Sequence, residues 1–148
     1  MGTRSTYRII DTYRDLQTKK LKKEEICLVY LQYDGYPEGH PVEVAEWLST
    51  GNVVNGFHGD EEQLTFNGAG CLAAQLVAKL KVKTGNVYLH SLSQRGFLWE
   101  EFLYDIIVQN DMSIVFVAYK IGEKKPFYKG SPSQFVQLYK KLQFEEVN

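Results

Sequence analysis

Tyr33-Asp34-Gly35-Tyr36-Pro37-Glu38-Gly39-His40 is the stretch around which the chain is organised. It follows an apolar run at residues 26–31 and precedes an amphipathic segment. Gly35 and Gly39 permit backbone angles that other residues resist, and Pro37 fixes its own φ. So many turn residues between a strand and a helix predict a loop of defined shape, the kind of place where functional polar side chains are concentrated.

Two strands are predicted before this loop, at residues 6–13 and 26–33. The second has apolar residues on both faces, which is typical of a central strand. Residues 15–25 between them are polar and carry four lysines, so we predict a solvated hairpin tip there.

Two helices are predicted after the loop, at residues 41–50 and 69–81, each with an apolar stripe at helical spacing. Residues 52–67 between them show no period. A connection of this length is either functional or contains a short strand, which we place at residues 53–57. A strand at residues 87–92 follows the second helix.

The clearest local pattern is a pair of β-rich runs, residues 101–109 and 112–120. Asn110-Asp111 between them predicts a two-residue hairpin turn. A short edge strand is expected at residues 127–129.

The last helix has a well-defined start. Ser131 is the predicted cap, Pro132 suits the first helical position and Gln134 completes a capping box. The predicted core-facing stripe is Phe135, Leu138, Tyr139 and Leu142.

The predicted element order is therefore ββααβββα within one domain spanning residues 1–148. Consecutive strands with short links favour the α+β class, with a mainly antiparallel sheet of about five strands and three helices packed on it.

Composition narrows the function classes. A formal net charge of −1 in 148 residues argues against a general nucleic-acid binder. The sequence contains no apolar run of the roughly 18 residues that cross a bilayer, so no membrane association is expected. Cys27 and Cys71 lack metal-ligand spacing and are predicted to be free thiols of a reducing compartment, which indicates a cytoplasmic protein.

The entry to the second helix is the better of two candidate anion sites. Glycines precede both of the first two helices, but the first helix carries Glu43 and Glu46 near its start. The second has no acid in its first turn, so free amides near Asn67, Gly68 and Gly70 are predicted to cradle an anionic group.

Histidine chemistry is the alternative use of the loop. His40 with Asp34 could act as a general base and its orienting group. His58 and His90 are the other histidines, and none of the three has the spacing of a metal site, so neither a metal nor a cofactor is predicted. The polar residues expected to surround one bend are Gln32, Asp34, Tyr36 and His40, with Arg4 and Ser5 at the entrance to the first strand.

Two motifs give the chain a family resemblance. Met1-Gly2-Thr3-Arg4-Ser5 and Gln32-Tyr33-Asp34-Gly35-Tyr36-Pro37-Glu38-Gly39-His40 resemble a group of small, largely uncharacterised bacteriophage and bacterial proteins. Further similar segments are residues 66–75, 87–89 and 101–105, so the resemblance covers roughly residues 1–110. Pro41 departs from the pattern, since relatives tend to carry glycine there. The resemblance implies a phage-like origin and a shared pocket for Arg4, Ser5, Gln32, Asp34, Tyr36, Asn67 and Gly68.

The leading prediction is a non-catalytic binding module for a small anionic or nucleotide-like ligand. Its ring would stack on Tyr36 and its charge would pair with Arg4. In a phage protein acting in the host cytoplasm, the ligand could be a host signalling nucleotide. Alternatives are a small phosphodiesterase-like hydrolase using His40 and Asp34, and a protein that binds and blocks a host protein. Assembly into a homo-oligomer is compatible with each of these functions.

Overall fold

The computed structural model describes residues 2–56 and 63–147, with side chains up to residue 140. Its elements, in chain order, are β1 (Ser5–Arg14), β2 (Leu21–Leu31), α1 (His40–Ser49), β3 (Asn52–Val54), β4 (Thr65–Asn67), α2 (Gly68–Leu80), β5 (Val87–His90), a single 3₁₀ turn (Leu92–Gln94), β6 (Phe102–Val108), β7 (Ile114–Lys120), β8 (Tyr128–Gly130) and α3 (Pro132–Val147).

Six strands form one sheet in the order β5-β2-β1-β6-β7-β8. Only β1 and β6 pair in parallel, while every other pair of neighbours in this sheet is antiparallel. β3 and β4 form a separate two-stranded parallel sheet. The predicted α+β class with a mainly antiparallel sheet and three helices is confirmed, with one more strand in the main sheet than the approximate prediction.

The core lies on one face of the sheet, beneath the helices. Successive strand residues point to opposite faces, so Tyr7 and Ile9 of β1 face the core together with Tyr104 and Ile106 of β6. The helices contribute buried apolar side chains to the same cluster: Val44, Ala45, Leu48, Leu72, Leu76 and Phe135. This arrangement places the start of α1 directly over the start of β1.

On the opposite face, the segment between β5 and β6 is tied to the sheet. Glu100 is buried there and accepts a hydrogen bond from the Thr6 hydroxyl at 3.1 Å. Arg95 lies 3.3 Å from the carboxylate of Asp105, which also pairs with Arg8 at 2.8 Å. Buried polar groups on this face therefore connect three parts of the chain.

The lysine-rich connection is the first correction to the predicted elements. β2 begins at Leu21, within the segment predicted as hairpin tip, and Lys22 and Lys23 pair with Tyr13 and Thr12 of β1. The first five residues of β2 are exposed, so no apolar alternation marks them as a strand. Charged side chains are common on such exposed edges.

The predicted two-residue turn at Asn110-Asp111 is wrong. β6 ends at Val108 and β7 begins at Ile114, and the Gln109 amide donates to the Ser113 carbonyl at 2.8 Å. The carboxylate of Asp111 accepts hydrogen bonds from the Ser113 amide at 3.0 Å and the Ser113 hydroxyl at 2.6 Å. This side-chain turn stabilises a wider loop than a tight hairpin would need.

The cap of α3 is confirmed, but part of its stripe is not. The Ser131 hydroxyl accepts a hydrogen bond from the Gln134 amide at 3.2 Å. Phe135 is fully buried, whereas Leu138 is 50% exposed and Val136 packs against the core instead. Leu142 lies outside the described side chains.

The two short predicted strands are found with shifted bounds. The strand expected at residues 127–129 is Tyr128–Gly130. The strand expected at residues 53–57 is Asn52–Val54, and Phe57 lies outside the described residues.

Candidate functional site

The bend loop, residues 33–40, is closed by its own backbone. The Asp34 carbonyl accepts a hydrogen bond from the His40 amide at 3.1 Å, and the Tyr36 carbonyl accepts one from the Gly39 amide at 2.9 Å. A Cβ on Gly39 would collide with the Asp34 carbonyl, and Asp34 itself has a φ of 61°. Asp is among the residues that tolerate this left-handed conformation, so the loop has a defined shape.

Contacts with the start of the chain and with β6 hold this loop against the sheet. The Thr3 carbonyl accepts a hydrogen bond from the Gly35 amide at 2.9 Å, and the Tyr104 hydroxyl donates to the Gly35 carbonyl at 2.6 Å. A Cβ on Gly35 would lie 2.5 Å from the Ser5 hydroxyl. Glycine at this position therefore allows the loop to lie directly on β1.

His40 is held between two hydroxyl groups. Its Nδ1 lies 2.7 Å from the Tyr7 hydroxyl and its Nε2 lies 3.3 Å from the Ser5 hydroxyl. Burial lowers the pKa of His40 to about 4, so the ring is neutral at pH 7. Burial likewise raises the pKa of the Tyr7 hydroxyl well above its usual value, and this group stays protonated.

The predicted pairing of Asp34 with the His40 ring does not occur. The Asp34 carboxylate accepts a long hydrogen bond, 3.4 Å, from the Tyr36 hydroxyl, and it meets His40 only through its backbone carbonyl. Ser5 is fully buried beneath the ring. The ring is thus positioned by two neutral hydroxyls rather than by a carboxylate.

A cavity of about 470 Å³, which we call the bend cleft, opens between this loop and the carboxyl end of α2. Three carboxylates and one ammonium group, that of Lys79, line this cleft. Its formal charge is therefore −2 when His40 is neutral. A negatively charged cleft disfavours an anionic ligand. The cleft is lined by Leu31, Tyr33, Asp34, Tyr36, Glu38, Gly39, His40, Val42, Glu43, Val44, Lys79, Leu80, Val82 and Asn86.

Tyr33 also lines a second cavity, of about 540 Å³, which we call the Tyr33–Trp99 cleft. The side chains of Tyr33 and Trp99 are 53% and 83% exposed. Arg4 and Glu101 balance each other's charge, and Gln32 adds an amide. The complete lining is Gly2, Arg4, Gln32, Tyr33, Trp99 and Glu101.

The loop that carries Trp99 is held by hydrogen bonds to the Glu100 carboxylate, and we call this set of bonds the Glu100 clasp. The buried carboxylate accepts hydrogen bonds from the Gly96 amide at 2.7 Å and the Leu98 amide at 2.6 Å, besides the Thr6 hydroxyl. Trp99 has a φ of 62°, which is rare for a bulky residue and persists only when the surroundings enforce it. The exposed indole is therefore presented by a fixed backbone.

Trp99 was missed by sequence reasoning. The segment Gly96-Phe97-Leu98-Trp99 places two large aromatic residues between the strands predicted at residues 87–92 and 101–109. Aromatic residues in a loop have no predicted core to fill, and this was the signal that could have identified the second cleft.

The residues at the entry to α2 do not join either cleft. The Asn67 amide oxygen accepts a hydrogen bond from the Gly56 amide at 3.0 Å, and Gly68 adopts a φ of 78° at the start of the helix. The opposite end of this 13-residue helix lines the bend cleft, which leaves Gly68 about 17 Å and Gly70 about 14 Å from Lys79 along the helix axis. An anion cradle there stays a prediction, separate from the bend.

The structure thus gathers only part of the predicted site. Ser5, Asp34, Tyr36 and His40 meet at the bend loop, while Arg4 and Gln32 line the adjoining Tyr33–Trp99 cleft. The residues left apart are Asn67, Gly68 and Gly70.

The remaining candidate groups lie elsewhere. His90 is exposed and its ring contacts that of Tyr30 edge-on, with centroids 5.6 Å apart, while His58 lies outside the described residues. Cys27 and Cys71 are free and half-buried. Across residues 2–56 and 63–140, no three side chains of the metal-binding types cluster around a common point.

None of the helices in the described part of the chain combines the length and apolar composition needed to cross a bilayer. The resemblance to small phage and bacterial proteins stays a prediction. Comparisons of the chain with protein families, with curated proteins and with solved structures found no match.

Proposed function

We propose that the chain is a non-catalytic binding module for a small nucleotide-like ligand, held in the Tyr33–Trp99 cleft. The observation that carries this proposal is the pair of exposed aromatic rings lining one cavity beside an arginine. Its volume of about 540 Å³ lies in the range typical of small-molecule sites.

Ring stacking would supply most of the affinity. A base can stack on the faces of Tyr33 and Trp99, and base–aromatic stacking contributes about 1–3 kcal/mol per base. Because the Trp99 backbone is already fixed by the Glu100 clasp, less entropy is lost on binding. The Gln32 amide can hydrogen-bond to the edge of the base.

Charge favours this cleft over the bend cleft for an anionic group. Arg4 is exposed and makes no ion pair with any residue among those described, so its guanidinium is available for a phosphate. The bend cleft, with its formal charge of −2, would repel the same group. For a protein of the phage-like origin that the resemblance implies, sequestration of a host signalling nucleotide is one specific form of this proposal.

The test is a thermal-shift and fluorescence titration with adenosine monophosphate, guanosine monophosphate and cyclic dinucleotides. A ligand at about 100 times its Kd stabilises the fold by about 2.7 kcal/mol and raises Tm by several degrees. Binding should also quench the emission of exposed Trp99, whereas half-buried Trp47 packs against Phe66 and should respond little.

Variants on the two clefts locate the ligand. Trp99→Ala and Arg4→Ala should each weaken binding by tenfold or more, about 1.4 kcal/mol. Phe97→Ala is the matched control, because Phe97 is 78% exposed on the same loop but does not line the cleft. Loss of binding in Asp34→Ala with wild-type behaviour in Trp99→Ala would place the ligand in the bend cleft and overturn the proposal.

Two other functions are ranked below this one. A hydrolase using His40 would need its ring freed from the Tyr7 and Ser5 hydroxyls, and no turnover is expected from His40 paired as it is. Blocking of a host protein is favoured by the exposed rings of Phe97 and Trp99. If the chain captures a partner protein, loses that capture in Phe97→Ala and shows no response to nucleotides, the result would support the blocking of a host protein.

A further inference from the structure

The outer edge of β2 is only partly covered. β1 pairs with β2 along its length except at a bulge at Ile26, but β5 on the other side pairs only with Leu28–Leu31. Residues 21–25 are exposed, and among the described strands none but β1 pairs with them. Five residues in extended conformation therefore present an unpaired edge beside β5.

The backbone groups on this edge belong to alternate residues. The Arg4 carbonyl points toward β6, so odd-numbered residues of β1, including Asp11 and Tyr13, point toward β2. Their partners Glu24 and Lys22 use their amide and carbonyl groups on β1. The amide and carbonyl groups of residues 21, 23 and 25 consequently face outward.

We propose that this edge pairs with the same edge of a second copy of the chain. A two-fold axis normal to the sheet relates antiparallel neighbours, and it pairs residues that point to the same face. With Lys23 on the axis, Leu21 meets the partner's Glu25, and the outward backbone groups of residues 21, 23 and 25 hydrogen-bond across the interface.

Charge complementarity supports this register. The segment Leu21-Lys22-Lys23-Glu24-Glu25 places Lys22 opposite Glu24 twice, in the closely spaced positions of the ladder. The two Lys23 side chains meet on the axis, but each lies diagonal to a Glu25 of the other copy. The paired segments together carry four positive and four negative charges.

The neighbouring strand limits the alternatives. The hairpin tip of the second copy, residues 15–20, would extend about three residues beyond its Leu21 and reach the level of Leu28. β5 ends at that level, since its last residue, His90, pairs with Leu28. Moving Glu24 onto the axis would push the tip two residues further along β2, where β5 already pairs, so the Lys23-centred register is favoured over the Glu24-centred one.

Charge reversal tests the interface. Five residues on each side make a small contact, so we expect a dimer with a Kd of micromolar or weaker order, measured by sedimentation from about 1 to about 500 µM. Lys22→Glu and Glu24→Lys should each raise the Kd about tenfold, and the double variant should return it to within about threefold of wild type. A wild-type chain that stays monomeric, or single variants that dimerise like wild type, would overturn the proposal.

A cysteine variant tests the register. Symmetry places the two Cα atoms of residue 23 about 5.5 Å apart, within the range that a disulfide spans. Lys23→Cys should therefore cross-link under mild oxidation much faster than Lys124→Cys, which is also exposed but lies in the connection between β7 and β8. The wild-type chain reports any background from Cys27 and Cys71, and equal cross-linking of the two variants would contradict the Lys23-centred register.

Discussion

At the scale of single residues, half-buried His40 stands out because its ring has no charged partner among the described residues. His40 lies between the Tyr7 and Ser5 hydroxyls, and burial lowers its pKa to about 4. The unfolded chain binds a proton at this residue below about pH 6.5, whereas the folded chain does not. Folding stability must therefore fall as the pH drops from about 6.5 to about 4.

We predict that this titration costs about 2 kcal/mol of unfolding free energy between pH 7 and pH 5. The measurement is urea denaturation of wild type and His40→Gln at both pH values. The variant has no titrating group at this position. Its loss of unfolding free energy between pH 7 and pH 5 should therefore be smaller than that of wild type by about 2 kcal/mol.

His90→Gln is the matched control, because His90 is exposed and contacts only the edge of Tyr30 among the described rings. It should keep the pH dependence of wild type. An unchanged pH dependence in His40→Gln would show that His40 does not have the lowered pKa.

At the scale of elements, the clasped segment at residues 95–101 shows how a loop without regular structure is held. This segment lacks the backbone hydrogen bonds of a helix or strand. In their place, the Glu100 carboxylate accepts hydrogen bonds from two amides and one hydroxyl. Trp99, whose backbone is strained, lies in sequence between Leu98, whose amide donates to this carboxylate, and Glu100 itself. One buried acid thus determines where an exposed aromatic side chain is presented.

We predict that Glu100→Ala lowers the unfolding free energy by about 2–3 kcal/mol, because two half-buried amides and the buried Thr6 hydroxyl lose their acceptor. Denaturant titration gives the loss. The same variant should weaken nucleotide binding at the Tyr33–Trp99 cleft, since Trp99 is no longer positioned.

Glu101→Ala removes the adjacent acid, which is exposed and makes no ion pair with a described residue. Its stability should stay within about 0.5 kcal/mol of wild type. If both variants lost the same stability, the clasp would not be what holds this segment.

At the scale of the whole molecule, one buried carboxylate connects the strands and the covering segment on the face away from the helices. Asp105 of β6 accepts two hydrogen bonds from Arg8 of β1, at 3.0 and 2.8 Å, and one from Arg95 at 3.3 Å. Breaking a buried pair by removing one partner leaves charge without compensation.

We predict that Asp105→Ala costs about 3 kcal/mol of unfolding free energy, because two guanidinium groups lose their buried partner. Glu25→Ala is the control, since Glu25 is exposed and its contact with Arg8 is long, 3.4 Å, so its loss should cost under about 1 kcal/mol. Urea denaturation of both variants makes the comparison, and equal small losses would contradict this account.

Much of the local structure was predictable from the residues alone. The apolar periods of residues 26–31 and 69–81 locate β2 and α2, and Ser131 marks the start of α3 through its cap. The position of the bend loop was predictable from its glycines and Pro37, which are turn residues close together in the chain. These features depend on neighbours in sequence, so pattern is sufficient.

The composition of the clefts was not predictable, because it depends on pairings across long sequence separations. β1 pairs with β6 in parallel, and this brings residues 95–101 beside the start of the chain and Trp99 beside Tyr33. No sequence pattern near β1 indicates which strand will pair with it. The carboxyl end of α2, rather than its glycine-led start, reaches the bend for the same reason.

By itself, the sequence determined the α+β class, the helices and the position of the bend, since these follow from periodicity, caps and turn residues close together in the chain. Only the tertiary structure decided that Arg4 and Gln32 share a cleft with Trp99, and that Asn67 and Gly68 lie at the far end of α2. The physical reason is that sheet order and helix direction arise from burial of the whole core, which no single segment encodes.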